Sequence, residues 1–342
     1  MSNILSIGAG VMASSITIPA MENKHFINIV GTEFDKDIIK SLKEQNIHPL
    51  LNRKFNENTS SFYIDEFSQD LIDKSDVIVI GVNSSGIEWF IDKFQSYNIQ
   101  GKDFLLITKG LCINNDNHLD VLPNKIQNKL SKINLVAVAG PCKALELAKG
   151  IPTHVTFAST NIEKANQISL IFKNEYYFIS TTNDIKGIEY CSALKNVYAI
   201  MVGIAQALYG DNDLKNPEAA IFSQSIKEIA KFLTVFGGNQ NTTYGLTGIG
   251  DLYVTSSSGR NKLLGQLLGK NKKYKDVINN ELKNQTLEGA ILLQDNYKIF
   301  LNYFDNNILN KTEFPLLYEL INVICLGKSI SIPWKILESE DL

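Results

Sequence analysis

Short apolar runs at residues 4–7, 27–30, 77–82, 104–107, 135–139 and 153–157 punctuate the first half of the chain. The first four are almost continuous and lack the polar alternation of a strand with one wet face. That pattern belongs to strands buried on both faces of a parallel sheet. Stretches of helical spacing separate them, so the order of elements predicts βαβ units and an α/β, doubly wound sheet. After about residue 183 the period changes. Over 221–233, Ile221, Phe222, Ile226, Ile229, Ala230 and Phe232 recur at helical spacing, and strand signals nearly vanish. Two domains are therefore expected, a sheet domain over 1–182 and an all-helical one over 183–342.

The first predicted strand runs into Gly8-Ala9-Gly10-Val11-Met12-Ala13, which then opens a helix. In that setting Gly8 permits a tight turn and Gly10 lets the backbone approach a pyrophosphate. The small Ala13 permits close helix–strand packing, and the helix N-terminus attracts phosphate charge. The strand–turn–helix context raises this pattern above a chance glycine turn and makes domain 1–182 a Rossmann-type dinucleotide-binding domain. The second strand ends at Gly31-Thr32-Glu33, the distance at which an acid meets the adenine ribose, although Asp35 is a second candidate. Glu33 would accept the ribose hydroxyls and repel a 2′-phosphate, and no arginine stands at Thr32. NAD is the expected cofactor, with NADP as the alternative.

Composition narrows the remaining classes. The chain has 342 residues, 44% of them hydrophobic and 20% charged, as an ordinary globular protein does. A net charge of −3 gives no footprint for a nucleic-acid partner. No apolar run reads as long enough to cross a bilayer, and the N-terminus enters a strand without a basic leader, so a cytoplasmic protein is expected. Cys112, Cys142, Cys191 and Cys325 are scattered, which fits a reducing compartment. His25, His48, His118 and His154 are equally dispersed, and no metal site is expected.

The chemistry is concentrated further along. Lys195 lies in an apolar, helix-compatible stretch over 193–207. A lysine held there can give a proton to a carbonyl oxygen; it can also be a helix-edge lysine that snorkels to water. The turns Asn83-Ser84-Ser85, Thr108-Lys109-Gly110 and Gly140-Pro141-Cys142 all follow predicted strands. Ligands of open α/β sheets bind at those carboxyl ends. Lys109 would meet an anion there, or remain a solvated loop lysine.

Several separate motifs stand in one order: GAGVMASSI after the first strand, LITKGL around Lys109, AGPCKALELAKGIPTHVTFAS from Ala139, DIKGIEYCSALKNVYAI around Lys195, GLTGIGDLYVTSSSGRNKLLG around Asp251, and TLEGA around Glu288. Together they resemble the soluble NAD(P)-dependent glycerol-3-phosphate dehydrogenases over nearly the whole chain. The resemblance implies interconversion of sn-glycerol 3-phosphate and dihydroxyacetone phosphate, a small phosphorylated substrate. It implies Lys195 as the proton-transfer residue, Lys109 near substrate and nicotinamide, and Asp251 within the catalytic cluster. Arg260 and Asn261 match the substrate-phosphate binders, with Asn196 beside the catalytic lysine. Gly140, Cys142 and Gly259 fall among the implied substrate contacts; Ala144, Arg260 and Glu288 fall on the cofactor side.

Physical chemistry agrees with these roles. The planar fork of Arg260 suits phosphate oxygens, its alternative being a helix-start salt bridge. Asp251 would hold the Lys195 ammonium, and an opposing Lys109 charge would help release its proton; a helix N-cap is the other reading of Asp251. The run Ser256-Ser257-Ser258-Gly259 reads as a flexible loop able to fold over an anion. Cys142 and Lys143 depart from the family's hydroxyl residue and phenylalanine, Asn83 from its proline and Thr32 from its common arginine. The helical domain is expected to pair in a homodimer. Two other readings stay open: a related dehydrogenase of another hydroxy acid or ketopantoate, and a non-catalytic nucleotide-binding protein.

Overall fold

A computed structural model of the chain describes residues 1–209 and 215–338. Eight strands form one sheet: β1 (Asn3–Ile7), β2 (Phe26–Val30), β3 (Thr59–Phe62), β4 (Val77–Ile80), β5 (Asp103–Leu106), β6 (Asn134–Ala139), β7 (Thr153–Ala158) and β8 (Tyr177–Thr182). Their order is β8-β7-β6-β5-β4-β1-β2-β3. Every neighbouring pair is parallel except β6 and β7, which run antiparallel with Ala137 opposite Ala158. The chain leaves β1 in one direction through β2 and β3, then returns to build the other half from β4. That reversal beside β1 is the switch point at which doubly wound sheets bind ligands.

All six predicted strands are present, shifted by at most two residues at an end. The two edge strands were not foreseen. β3 reads Thr-Ser-Ser-Phe and is only half-buried, and β8 alternates between buried and exposed positions at its start. An edge strand needs no second apolar face, so its composition resembles a loop.

The described chain divides into two compact units, residues 1–109 with 121–185 and residues 110–120 with 186–342. The stretch 110–120 therefore leaves the sheet unit in the middle of its sequence. Within the second unit the Leu119 N–H donates to Tyr303 Oη at 2.8 Å.

The second unit is helical, and its spine is the 24-residue helix Ile185–Leu208. By length and composition this helix could cross a membrane, contrary to the expectation that no apolar run was long enough. Yet 83% of its most apolar window is buried inside the structure, which is how the core helix of a folded unit looks. The helix Arg260–Gly269 packs on it backbone to backbone: a Cβ added at Gly265 would sit 2.0 Å from the Ile200 carbonyl oxygen. Only glycine allows that approach.

Glu228, on the helix Asn216–Phe236, locks the spine to a third helix. Its carboxylate accepts the N–H groups of Leu316 and Leu317 at 2.8 and 3.0 Å, at the start of helix Pro315–Ile324. It also accepts Tyr198 Oη from the spine at 2.9 Å. Burial pushes the Glu228 carboxyl up to about 7, against the lowering effect of those donors. A folded-state value above the ordinary 4.5 means that this group's contribution is fully present below about pH 4.5 and is lost as pH rises through about 7. Glu228→Gln carries no such proton. In urea unfolding from pH 5 to 8, the stability of wild type minus that of Glu228→Gln should fall up to about pH 7 and then level off. The slope should not exceed about 1.4 kcal/mol per pH unit. A difference that is flat or rising would contradict this.

Candidate active site

The glycine turn lies where the sequence placed it. Gly8 has φ 103°, and a side chain there would come within 2.7 Å of the Gly81 carbonyl oxygen. Gly10 caps the helix Val11–Glu22, and a Cβ built on it meets nothing within 4 Å. A cavity of about 850 Å³ opens over this helix end, lined in part by Gly8, Gly10, Met12, Glu33, Trp89 and Thr108. Its size and position at the switch point fit a dinucleotide. Residues Ala9 and Val11 complete the turn, Ala9 being fully buried and Val11 lining the cavity.

The two candidate ribose acids part company here. Asp35 Oδ2 accepts from Thr32 N–H and Thr32 Oγ at 2.8 Å each, and from Ala9 N–H at 3.2 Å. It braces the turn. Glu33 is exposed on the cavity lining, which Asp35 also reaches.

Other predicted positions of the first unit follow strand ends. Lys109 is half-buried just after Thr108, whose hydroxyl donates to the Val82 carbonyl at 2.6 Å. Gly140 ends β6 with φ 119°, and Cys142 packs partly against the sheet core. The carbonyl of Ala144 accepts Ser15 Oγ at 2.9 Å, which ties it to the glycine-turn helix.

In the second unit Lys195 and Asp251 are 7% and 2% exposed and form a direct ion pair. Asp251 is the first residue of helix Asp251–Ser257, after a π-helical turn Leu246–Gly250. Gly250 occupies the cap position, so the carboxylate serves Lys195 rather than the helix end. Neither residue takes its bland alternative.

Asn261 is 4% exposed; its amide donates to Asn196 Oδ1 at 3.2 Å and Glu288 Oε2 at 3.4 Å, and its carbonyl accepts Gly289 N–H at 3.1 Å. Arg260 Nη2 reaches Glu288 Oε1 at 2.6 Å, both side chains being about half exposed. The structure thus joins Asn196, Arg260, Asn261 and Glu288 in one chain of hydrogen bonds beside Lys195, with Gly259 as the residue preceding Arg260. The serine loop is a correction. The helix continues through Ser257 and only Ser258 and Gly259 separate it from the next; the hydroxyls of Thr255, Ser256 and Ser257 bond back to carbonyls four residues earlier, which satisfies them inside the helix. His48 was missed: it looked like one of four dispersed histidines, yet it is fully buried with Nε2 2.9 Å from the Ala9 carbonyl.

Family models for the N-terminus and the C-terminus of NAD-dependent glycerol-3-phosphate dehydrogenase match residues 3–165 and 184–333. The chain belongs to the NAD-dependent glycerol-3-phosphate dehydrogenase family. A relative from Archaeoglobus fulgidus, an NADP(+)-dependent glycerol-3-phosphate dehydrogenase, is 32% identical over 324 residues, covering 93% of this chain and 95% of its own. A glycerol-3-phosphate dehydrogenase structure from Plasmodium falciparum superposes with a TM-score of 0.85 at 19% identity, covering 100% of this chain and 95% of that one. One from Coxiella burnetii gives 0.78 at 22%, covering 99% and 98%. These structural likenesses speak for the fold; the family rests on the sequence matches.

Proposed function

We propose that Lys195 is the proton donor and acceptor with which this chain, an NAD(P)-dependent dehydrogenase, interconverts sn-glycerol 3-phosphate and dihydroxyacetone phosphate. The observation that carries the assignment is the buried Lys195–Asp251 pair beside the Asn196–Asn261–Glu288–Arg260 chain. The dinucleotide, when bound, supplies hydride to the ketone carbon or accepts it from the alcohol carbon. In reduction, Lys195 Nζ gives a proton to the carbonyl oxygen as negative charge develops there, and in oxidation it takes the hydroxyl proton. Asp251 keeps the ammonium aimed between turnovers. Arg260 holds the substrate phosphate through charge-assisted hydrogen bonds, and the Asn261 amide joins it by exchanging its long contact with Glu288 for a phosphate oxygen. The exposed Glu288 is a weak competitor for that guanidinium.

Lys195→Ala should abolish turnover, by about a hundredfold or more, while NADH still binds, because the glycine turn is untouched. Fluorescence titration with NADH and initial rates with dihydroxyacetone phosphate check both halves. Near-normal turnover would remove Lys195 from the role.

Arg260→Lys should raise the KM for dihydroxyacetone phosphate by roughly tenfold or more, since an ammonium cannot reproduce the two-pronged geometry. Unphosphorylated dihydroxyacetone, a poor substrate for the wild type, should be affected much less. Equal loss for both compounds would make Arg260 structural.

The cavity carries Glu33 and Asp35 near the ribose end and, among the described lining residues, no lysine or arginine. A 2′-phosphate would meet negative charge there. We therefore expect faster turnover with NADH than with NADPH at equal subsaturating concentrations, although the Archaeoglobus relative is named for NADP(+). The reverse order in side-by-side initial rates would overturn this preference.

A further inference from the structure

Ala9 stands between the two glycines of the dinucleotide turn, and both of its polar groups are held. Its N–H donates to Asp35 Oδ2 at 3.2 Å. Its carbonyl accepts Ser14 Oγ at 3.2 Å and lies 2.9 Å from Nε2 of His48. The other ring nitrogen, Nδ1, accepts the Leu51 N–H at 3.2 Å, so it carries no proton. The neutral imidazole therefore has its proton on Nε2 and donates it to Ala9. Burial pushes the His48 pKa below its ordinary value, outweighing the raising effects of the Ala9 carbonyl and Asp35. The neutral ring, with one donor and one acceptor, matches its two neighbours.

The ring is delivered from outside the turn. Ile47–His48 pairs antiparallel with Arg53–Lys54, with His48 opposite Arg53. Ser41 Oγ donates to the Ile47 carbonyl at 2.8 Å, and Phe55 N–H to the Asn46 carbonyl at 2.7 Å, which fix the open end of this hairpin.

A trans peptide points its C=O and the following N–H in opposite directions. Anchoring the Ala9 carbonyl on a buried ring turns the Gly10 N–H the other way, and Gly10 lines the cavity with open space beside it. We infer that His48 is a positioning residue for cofactor binding: it fixes the Ala9–Gly10 peptide so that the Gly10 N–H faces the dinucleotide's pyrophosphate. The inference rests on the reading that this turn binds the dinucleotide.

Two amide substitutions separate this role from plain support of the hairpin. In His48→Gln the side-chain amide reaches the position of Nε2 and keeps a donor for Ala9, but Leu51 loses its acceptor. In His48→Asn the amide reaches only the position of Nδ1, so Leu51 keeps an acceptor and Ala9 loses its donor. Loss of one such hydrogen bond corresponds to roughly fivefold to tenfold in affinity. NADH titrations of the full chain by fluorescence should show that loss in His48→Asn and a change within about twofold in His48→Gln. The KM for dihydroxyacetone phosphate at saturating NADH should stay unchanged in both. Wild-type affinity in both variants would overturn the inference, as would affinity losses that track the fall in melting temperature instead of the lost Ala9 donor. A wild type that fails to bind NADH at all would overturn the cofactor reading itself, and the inference with it.

Discussion

The second unit is organised around one electrostatic obligation, the pairing of Lys195 with Asp251 out of contact with bulk water. Neither charge is tolerable there alone; removing one partner of a buried pair typically costs about 3–5 kcal/mol. The pair also needs a fixed register between two helices, because a slip of one residue turns a helical side chain by about 100°. Gly265 supplies part of that register by bringing the helix Arg260–Gly269 against the backbone at Ile200. Glu228 supplies another part by tying Tyr198, one turn beyond Lys195, to the start of helix Pro315–Ile324. Rigidity around the lysine is thus built from contacts that make no chemical step themselves.

The two halves were unequally legible in the sequence. The glycine turn could be read because each of its residues answers a local demand: a positive φ at Gly8, open space at Gly10, small volume at Ala13. The central strands could be read because burial on both faces leaves only apolar residues. β3 and β8 could not, since an edge strand of Thr, Ser and Tyr satisfies its backbone without an apolar signature. The run Ser256-Ser257-Ser258 misled for a related reason. Serine favours turns because its hydroxyl competes for backbone groups, yet here Ser256 and Ser257 spend their hydroxyls on carbonyls of their own helix. Asn196, Asn261 and Glu288 were found only through resemblance to a family, as their partners lie up to 65 residues away.

Asp35 and His48 hold the glycine turn from its two sides. Sequence spacing put Glu33 first for the ribose and left Asp35 as the second candidate. Both line the cavity, but one oxygen of Asp35 already receives three donors while Glu33 is exposed. Asp35 takes the N–H of Ala9 and His48 takes its carbonyl, so the residue between the glycines is gripped at both ends. Glycines make the turn possible, but they also make it soft, because each has more conformations to lose than any other residue. The grip on Ala9 restores definition at the one non-glycine position between them.

The Arg260–Glu288 pair completes this logic at the other end of the chemistry. On the proposed reading, Arg260 is a guanidinium that waits for a phosphate, and such a group faces two hazards, wandering when alone and binding too firmly to a substitute. A pair in which both side chains are about half exposed avoids both. Exposed pairs are worth at most about 1 kcal/mol, enough to bias the arginine's orientation but too little to resist an anion with two charges. The partner Glu288 also touches Asn261, whose carbonyl is fixed by the Gly289 N–H. The waiting position of Arg260 is therefore referred to the same buried amide that sits against Asn196, next to Lys195. On the proposed assignment, phosphate recognition at Arg260 and proton transfer at Lys195 meet at Asn196, the residue next to the lysine, where the chain of contacts from Arg260 through Glu288 and Asn261 ends.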